Sequence, residues 1–140
     1  MSCSYQILKP FGLAYVRLAG LVRPGDSLRA LTDFARDPEA RPDLNQLLDM
    51  RDVTGMKLDV LDLLRMHARK AEIFAPSEHD RLFVHVAPTP IARKVAGHVV
   101  KSWSKVPGIT HRVVPDEEQA LDILGLRQRT IDALIHQQSA

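Results

Sequence analysis

Cysteine is almost absent: the chain has one, Cys3, in 140 residues. A lone thiol cannot close an intramolecular disulfide, which fits a reducing compartment. Aromatic residues make up only 5%, too few for a platform on which nucleic-acid bases stack. No apolar run approaches the roughly 18 residues of a membrane span. The opening Met1-Ser2-Cys3-Ser4-Tyr5-Gln6 lacks the basic and apolar regions of a secretory signal. Excess charge is missing too: nineteen basic residues against seventeen acidic ones leave +2, which gives nucleic acid no electrostatic hold. These absences predict a soluble cytoplasmic domain with no nucleic-acid partner and no transmembrane segment. Glycine-rich phosphate loops, Gly-x-Ser-x-Gly elbows and Cys–His nucleophile pairs are also lacking. His67, His79, His85, His98, His111 and His136 show neither His-x-x-x-His nor His-Glu-x-x-His spacing. Glu78-His79-Asp80 could hold a metal, but a solvated turn explains it as well. The expectation is no catalytic residue, no metal, no cofactor and no enzymatic activity.

What is present has the composition of an ordinary globule, 45% apolar and 26% charged. One domain of this length buries roughly two-thirds of its unfolded surface and needs no covalent staple. Prolines and glycines punctuate the chain so that no proline falls inside an element. β-Forming runs at residues 5–8 and 13–19 flank the Pro10-Phe11-Gly12 turn and predict an antiparallel hairpin that ends at Gly20. A helix follows Pro24, capped by Asp26 or Ser27, with Leu28, Leu31, Phe34 and Ala35 on its apolar face. Residues 44–49 read as a buried central strand. The longest helical pattern, residues 57–75, sets Val60, Leu61, Leu64, Ala68 and Ala71 on one stripe, widened by Leu63, Met66 and Phe74. Its acids, Asp59 and Asp62, come early and Arg65, Arg69 and Lys70 come late, complementing the helix dipole.

Residues 81–87 form the clearest strand. Thr89 caps a helix that opens on Pro90, residues 109–114 form the last strand, and Asp116 with Gln119 has the form of a capping box. Gly125 closes the following helix. Ile131, Leu134 and Ile135 give the tail a helical apolar face, which either packs on its own domain or joins two copies in a homodimer. The order β-β-α-β-α-β-α-β-α predicts an α/β domain over residues 1–125, with a helical extension over 126–140. Its sheet is mostly parallel and five-stranded, with an antiparallel edge strand and right-handed crossovers.

The chain is organised around Asn45-Gln46-Leu47-Leu48-Asp49-Met50-Arg51-Asp52-Val53-Thr54-Gly55. This apolar run ends in two carboxylates flanking an arginine and is expected to turn at Thr54-Gly55. In open α/β sheets, ligands gather outside the carboxyl ends of the strands, so Asp49, Arg51, Asp52 and Thr54 belong at the functional edge. Three stretches carry a family resemblance: Leu47-Leu48-Asp49-Met50-Arg51-Asp52-Val53, Arg81-Leu82-Phe83-Val84-His85-Val86-Ala87, and Val114-Pro115-Asp116-Glu117-Glu118-Gln119-Ala120-Leu121-Asp122-Ile123-Leu124. Together with the element order, they resemble the SpoIIAA-like branch of the STAS fold, found in sulfate transporters and anti-sigma factor antagonists. The resemblance covers most of residues 5–125. It implies a non-enzymatic module: a carrier of a lipid-like or small ligand, or a regulatory protein-binding domain of the anti-sigma-antagonist type. In the regulatory members the central strand runs into an Asp-Ser-Ser-Gly turn whose serine a partner kinase phosphorylates. Here that place reads Asp52-Val53-Thr54-Gly55, and Thr54 is the only nearby hydroxyl.

Two constellations are candidates for function. Arg51 and Thr54 after one strand, with Thr89 and the helix start after its neighbour, form a candidate anion site. Trp103 would be a wall of the same pocket, between sheet and helices, holding a small apolar or a carboxylate- or phosphate-bearing ligand. The competing reading is that Asp49, Arg51 and Asp52 pair among themselves and tie down the turn. Lys94, His98, Lys101 and Lys105 fall at i, i+4, i+7 and i+11, opposite Val95 and Val99. That basic stripe suits an acidic protein partner or an anionic membrane surface, or is the solvated face of an amphipathic helix.

Overall fold

A computed structural model describes residues 1–77 and 79–139, with Gln138 and Ser139 described by their backbone alone. Five strands form one sheet: β1 (Cys3–Leu8), β2 (Leu13–Val22), β3 (Asn45–Met56), β4 (Arg81–Val86) and β5 (Ile109–Val114), side by side in chain order. β1 runs antiparallel to β2, and every other neighbouring pair is parallel. The α-helices are α1 (Pro24–Arg36), α2 (Val60–Phe74), α3 (Pro90–Ser102), α4 (Glu117–Ile123) and α5 (Ile131–Ser139). This is the α/β architecture, mixed sheet included, that the punctuation of the sequence predicts.

The strand order dictates the layering. Parallel strands that step one way across a sheet, joined by crossovers of one hand, put every crossover helix on the same face. Accordingly Leu31 and Phe34 of α1, Met66 and Phe74 of α2, and Val95 and Val99 of α3 share one core with Ala14, Leu48 and Phe83 of the sheet. The helices after β5 close the other face, where Leu121, Ile131 and Leu134 meet Leu13, Leu47, Val84 and Val86. Successive residues in each central strand thus feed opposite cores, as the pleat requires. The scarce aromatics concentrate under the three crossover helices. Tyr5, Phe34, Phe74, Trp103 and Phe83 form a chain of ring contacts with centroids 4.8–5.5 Å apart.

Four local expectations are corrected. β2 does not stop at Gly20: that glycine takes φ 65° at a register irregularity, and the strand resumes beside β3 to Val22. β3 likewise runs on to Met56, so Arg51 to Gly55 lie within a strand and do not form a turn. β4 leaves β3 after Asp49, and from there β3 pairs with β2 alone. At α1 neither Asp26 nor Ser27 is the N-cap. Arg23 holds that position without a side-chain cap, and the Asp26 carboxylate accepts bonds from the Ser2 amide and hydroxyl at 2.9 and 2.7 Å. Ala35 is exposed and Leu28 half-buried, so Pro24, Leu31 and Phe34 carry that helix's packing.

The largest correction concerns α2. It starts at Val60, capped by the Asp59 carboxylate, and it turns the expected stripe outward. Val60, Leu61 and Leu64 are 68%, 63% and 59% exposed. Its buried residues are Met66, Lys70 and Phe74. Elsewhere the signals hold: Thr89 caps α3 by accepting from the Ala92 amide at 3.1 Å, and Asp116 accepts from the Gln119 amide at 2.8 Å. Gly125, at φ 72°, ends α4 with the Leu126 amide donating back to the Leu121 carbonyl.

Ile131 and Leu134 are fully buried against the chain's own sheet, so the tail packs on its own domain. Leu134→Ala should cost about 3 kcal/mol by leaving a cavity in the second core. Equilibrium denaturation of the variant measures this, and a loss below about 1 kcal/mol would mean that α5 contributes little to the fold.

Candidate functional site

Between the sheet and α1, α2 and α3 lies a mostly apolar cavity of about 70 Å³, open to solvent on one side. Its walls include Leu18, Leu31, Phe34, Leu48, Met56 and Trp103. Met56 and His98 also border an outer groove of about 140 Å³, formed with Leu58, Ile91, Lys94 and Val95. The inner space and the groove are therefore neighbours across the Met56–His98 wall. Flexible methionines at 56 and 66 line the cavity, side chains that repack readily around irregular shapes.

A lysine side chain enters this mostly apolar space. Lys70 of α2 is 6% exposed and lines the cavity. Its Nζ donates to Ser102 Oγ at 2.5 Å, and that hydroxyl donates in turn to the Val99 carbonyl. Nζ also lies 4.3 Å from the centroid of the Trp103 ring. Among the described residues no carboxylate pairs with it. The titratable groups facing it are the Cys3 thiol from β1 and three imidazoles, His67, His85 and His111. Burial without a counter-ion disfavours the ammonium form and pulls the amine down to about 7. Burial raises the Cys3 thiol in the same way. The Trp103 indole N–H is buried without an acceptor among the described residues.

His85 and His111 meet across β4 and β5, Nε2 to Nδ1 at 3.1 Å. Burial pushes His85 down to about 3, and burial lowers His111 as well, so this is a neutral imidazole pair at pH 7. Among the described residues no group of three or more potential ligands could hold a metal. Glu78, part of the weighed Glu78-His79-Asp80 cluster, lies outside the described residues.

The expected site residues do not assemble into one pocket. Trp103 lines the cavity; Arg51, Thr54 and Thr89 do not. Thr54 is exposed on the overrunning part of β3, and Thr89 serves as the cap of α3. Arg51 lies on the α4–α5 side of the sheet and is fully engaged. It grips Asp49 with Nε and Nη2 at 2.9 and 3.0 Å, and reaches Glu117 with Nη1 at 2.6 Å. Tyr15 donates to the same Asp49 at 2.6 Å, and Glu117 accepts from the Ile131 amide at 2.9 Å. Burial raises the Asp49 carboxyl, but the bonds from Arg51 and Tyr15 outweigh it and hold it below its usual range. This is a clamp joining β3, α4 and α5, with Asp52 paired separately to Arg17 at 2.9 Å. On α3, Lys94 and Lys101 are exposed and His98 is half-buried in the cavity wall, while Lys105, also exposed, lies in the turn beyond the helix and so falls off the expected stripe.

The residue missed by sequence reasoning is Lys70. Its signal was its spacing: Met66, Lys70 and Phe74 fall at i, i+4 and i+8, so a lysine sits at the centre of an apolar stripe. A solvent-seeking reading of lysine hides that stripe in favour of Val60, Leu61 and Leu64.

No family model matches this sequence, and no curated protein is significantly similar to it.

Two outcomes test the electrostatics. Because the folded amine of Lys70 titrates near 7 and the unfolded one near its ordinary value, the unfolded chain binds the extra proton between those limits. Stability conferred by the neutral amine is therefore present at high pH and lost as pH falls toward 7. Lys70→Met should stabilise the fold at pH 7, with the advantage shrinking by up to about 1.4 kcal/mol per pH unit toward pH 10. Urea unfolding across that range gives the gap, and a gap independent of pH would contradict a neutral buried amine. Arg51→Met should destabilise by about 3 kcal/mol, since Asp49 is left as a buried, uncompensated charge. It should leave small-anion binding unchanged, as isothermal titration can show.

Proposed function

We propose that this protein is a non-enzymatic binding module that holds a small amphiphilic molecule in the cavity between its sheet and α1–α3. The apolar body of the ligand packs against the cavity walls, and an acceptor head, best a carboxylate, is directed at Lys70. One observation carries this reading: a buried lysine with no carboxylate partner among the described residues lines the wall of a mostly apolar cavity. Burying an ionisable group unpaired is costly, and an anionic ligand would supply the missing charge. The unpartnered Trp103 N–H adds a second donor in the same wall, so the polar groups there favour an acceptor. A small-ligand role is also what the STAS resemblance implies.

The test is calorimetry on protein stripped of bound molecules, with hexanoate compared with hexanol and hexylamine. Hexanoate should bind about tenfold or more tightly than hexanol, a difference of about 1.4 kcal/mol. Lys70→Met should erase that preference while retaining the alcohol. Binding draws a proton onto Lys70, so hexanoate affinity should fall above pH 7 by up to about tenfold per unit. Equal affinity for the acid, the alcohol and the amine, or a carboxylate preference that survives Lys70→Met, would refute the assignment of the head.

A further inference from the structure

Four large aliphatic side chains stand in solvent where α2 begins: Leu58, Val60, Leu61 and Leu64, each 59–68% exposed. Their helix already buries a different face, so they are surplus to the core. On a helix, Val60, Leu64 and Leu61 span about 100° of the circumference, from one flank to the outward crest. The flank at Asp62 belongs to α1, since a side chain on Gly25 would start 3.1 Å from the Asp62 carboxylate. The opposite flank carries Val60, Leu64 and His67. Lys70 bonds Ser102 at the end of α3, and the charge of Lys105, just beyond that end, acts on His67, so this flank lies toward α3. Leu58 meets Ile91, Lys94 and His98 in the outer groove next to the cavity. Lys94, Lys101 and Lys105 are exposed, and among the described residues none of them has a carboxylate partner. The nearby acids are occupied: Asp59 caps α2, and Asp62 pairs with Arg65 at 3.4 Å.

We infer that this face docks on an anionic lipid bilayer. Leu58, Val60, Leu61 and Leu64 enter the boundary between headgroups and acyl chains, and Lys94, Lys101 and Lys105 lie against the headgroups. Three occupants compete for such a surface, and geometry separates them. A peptide lying in the groove between α2 and α3 leaves the crest residue Leu61 wet. A second copy packed about a two-fold axis brings the unpaired lysines toward their own kind. A flat surface with an apolar interior and anionic headgroups covers the crest and neutralises the lysines together. The inference rests on the cavity reading for what the docking delivers: a molecule leaving the bilayer reaches the groove and then the Met56–His98 wall. Docking itself is measured without any ligand.

The experiment is co-sedimentation of the full chain with vesicles of phosphatidylcholine alone, or with about a third phosphatidylglycerol. The protein should pellet with the anionic vesicles and be released by salt. L61S/L64S should weaken binding about tenfold or more through lost apolar contact, and K94E/K101E by a similar factor through charge. All four positions are exposed, and an unchanged melting temperature verifies folding. L61S/L64S should bind hexanoate in solution as the parent does, which separates a failure of docking from a failure of the cavity reading. Equal pelleting with neutral and anionic vesicles would overturn the proposal, as would full binding by L61S/L64S. A dimer in sedimentation velocity that L61S/L64S dissociates, without vesicle binding, would also overturn it by making the face an interface between copies.

Discussion

Parallel strands laid side by side in chain order, all joined by crossovers of one hand, are the constraint on which the rest of this molecule depends. They commit α1, α2 and α3 to one face of the sheet and leave the other bare until the chain has passed β5. The two faces are then completed in different ways. The first is filled mainly by large apolar side chains and a chain of aromatic rings. The second is closed by two short helices and needs the Asp49–Arg51–Glu117 clamp to fasten them to β3. Charged residues near the middle of the central strand therefore hold the sheet's second cover in place.

On the crowded face, three helices over one sheet do not close every gap. The space left is apolar apart from a few side chains, among which Lys70 is the costly one. A buried amine held only by a serine hydroxyl and the face of an indole ring is a poor stabiliser of an empty fold. Such a group makes better sense when the fold is considered with something inside it. The same logic applies to the outward stripe of α2. Aliphatic side chains that the core has no room for are costly in water, and Leu58, just before them in the chain, borders the groove beside the cavity. The two unfavourable features are neighbours, and the amphiphilic ligand and anionic bilayer proposed above would answer to both.

The fold was legible in the sequence because its signals were local and redundant. Pro90 behind Thr89, Asp116 with Gln119, and the β-formers Phe83, Val84 and Val86 each specify an element without reference to the rest. What went astray was decided by long-range pairing. Arg51 to Gly55 carries charges and a Thr-Gly pair that suggest a turn, yet β2 continues alongside, and the irregularity at Gly20 lets both strands run on. α2 bears two apolar stripes, and periodicity alone favours the one uninterrupted by a lysine; tertiary packing chose the other. The candidate site was lost with that choice, since Lys70 is visible only once its face is known to point inward. Arg51 drew notice as an anion ligand because its partner Glu117, and the Tyr15 that shares Asp49 with it, are far away in sequence.

The cavity also has a mechanical meaning. Space that no atom fills is lost when a chain unfolds, so the folded form is the bulkier of the two, and compression works against it. The hollow between Met56, Met66 and Trp103 is thus a soft point of the molecule. A guest lodged there would make the protein less compressible and turn the weakest part of its interior into a filled joint between the sheet and its helices.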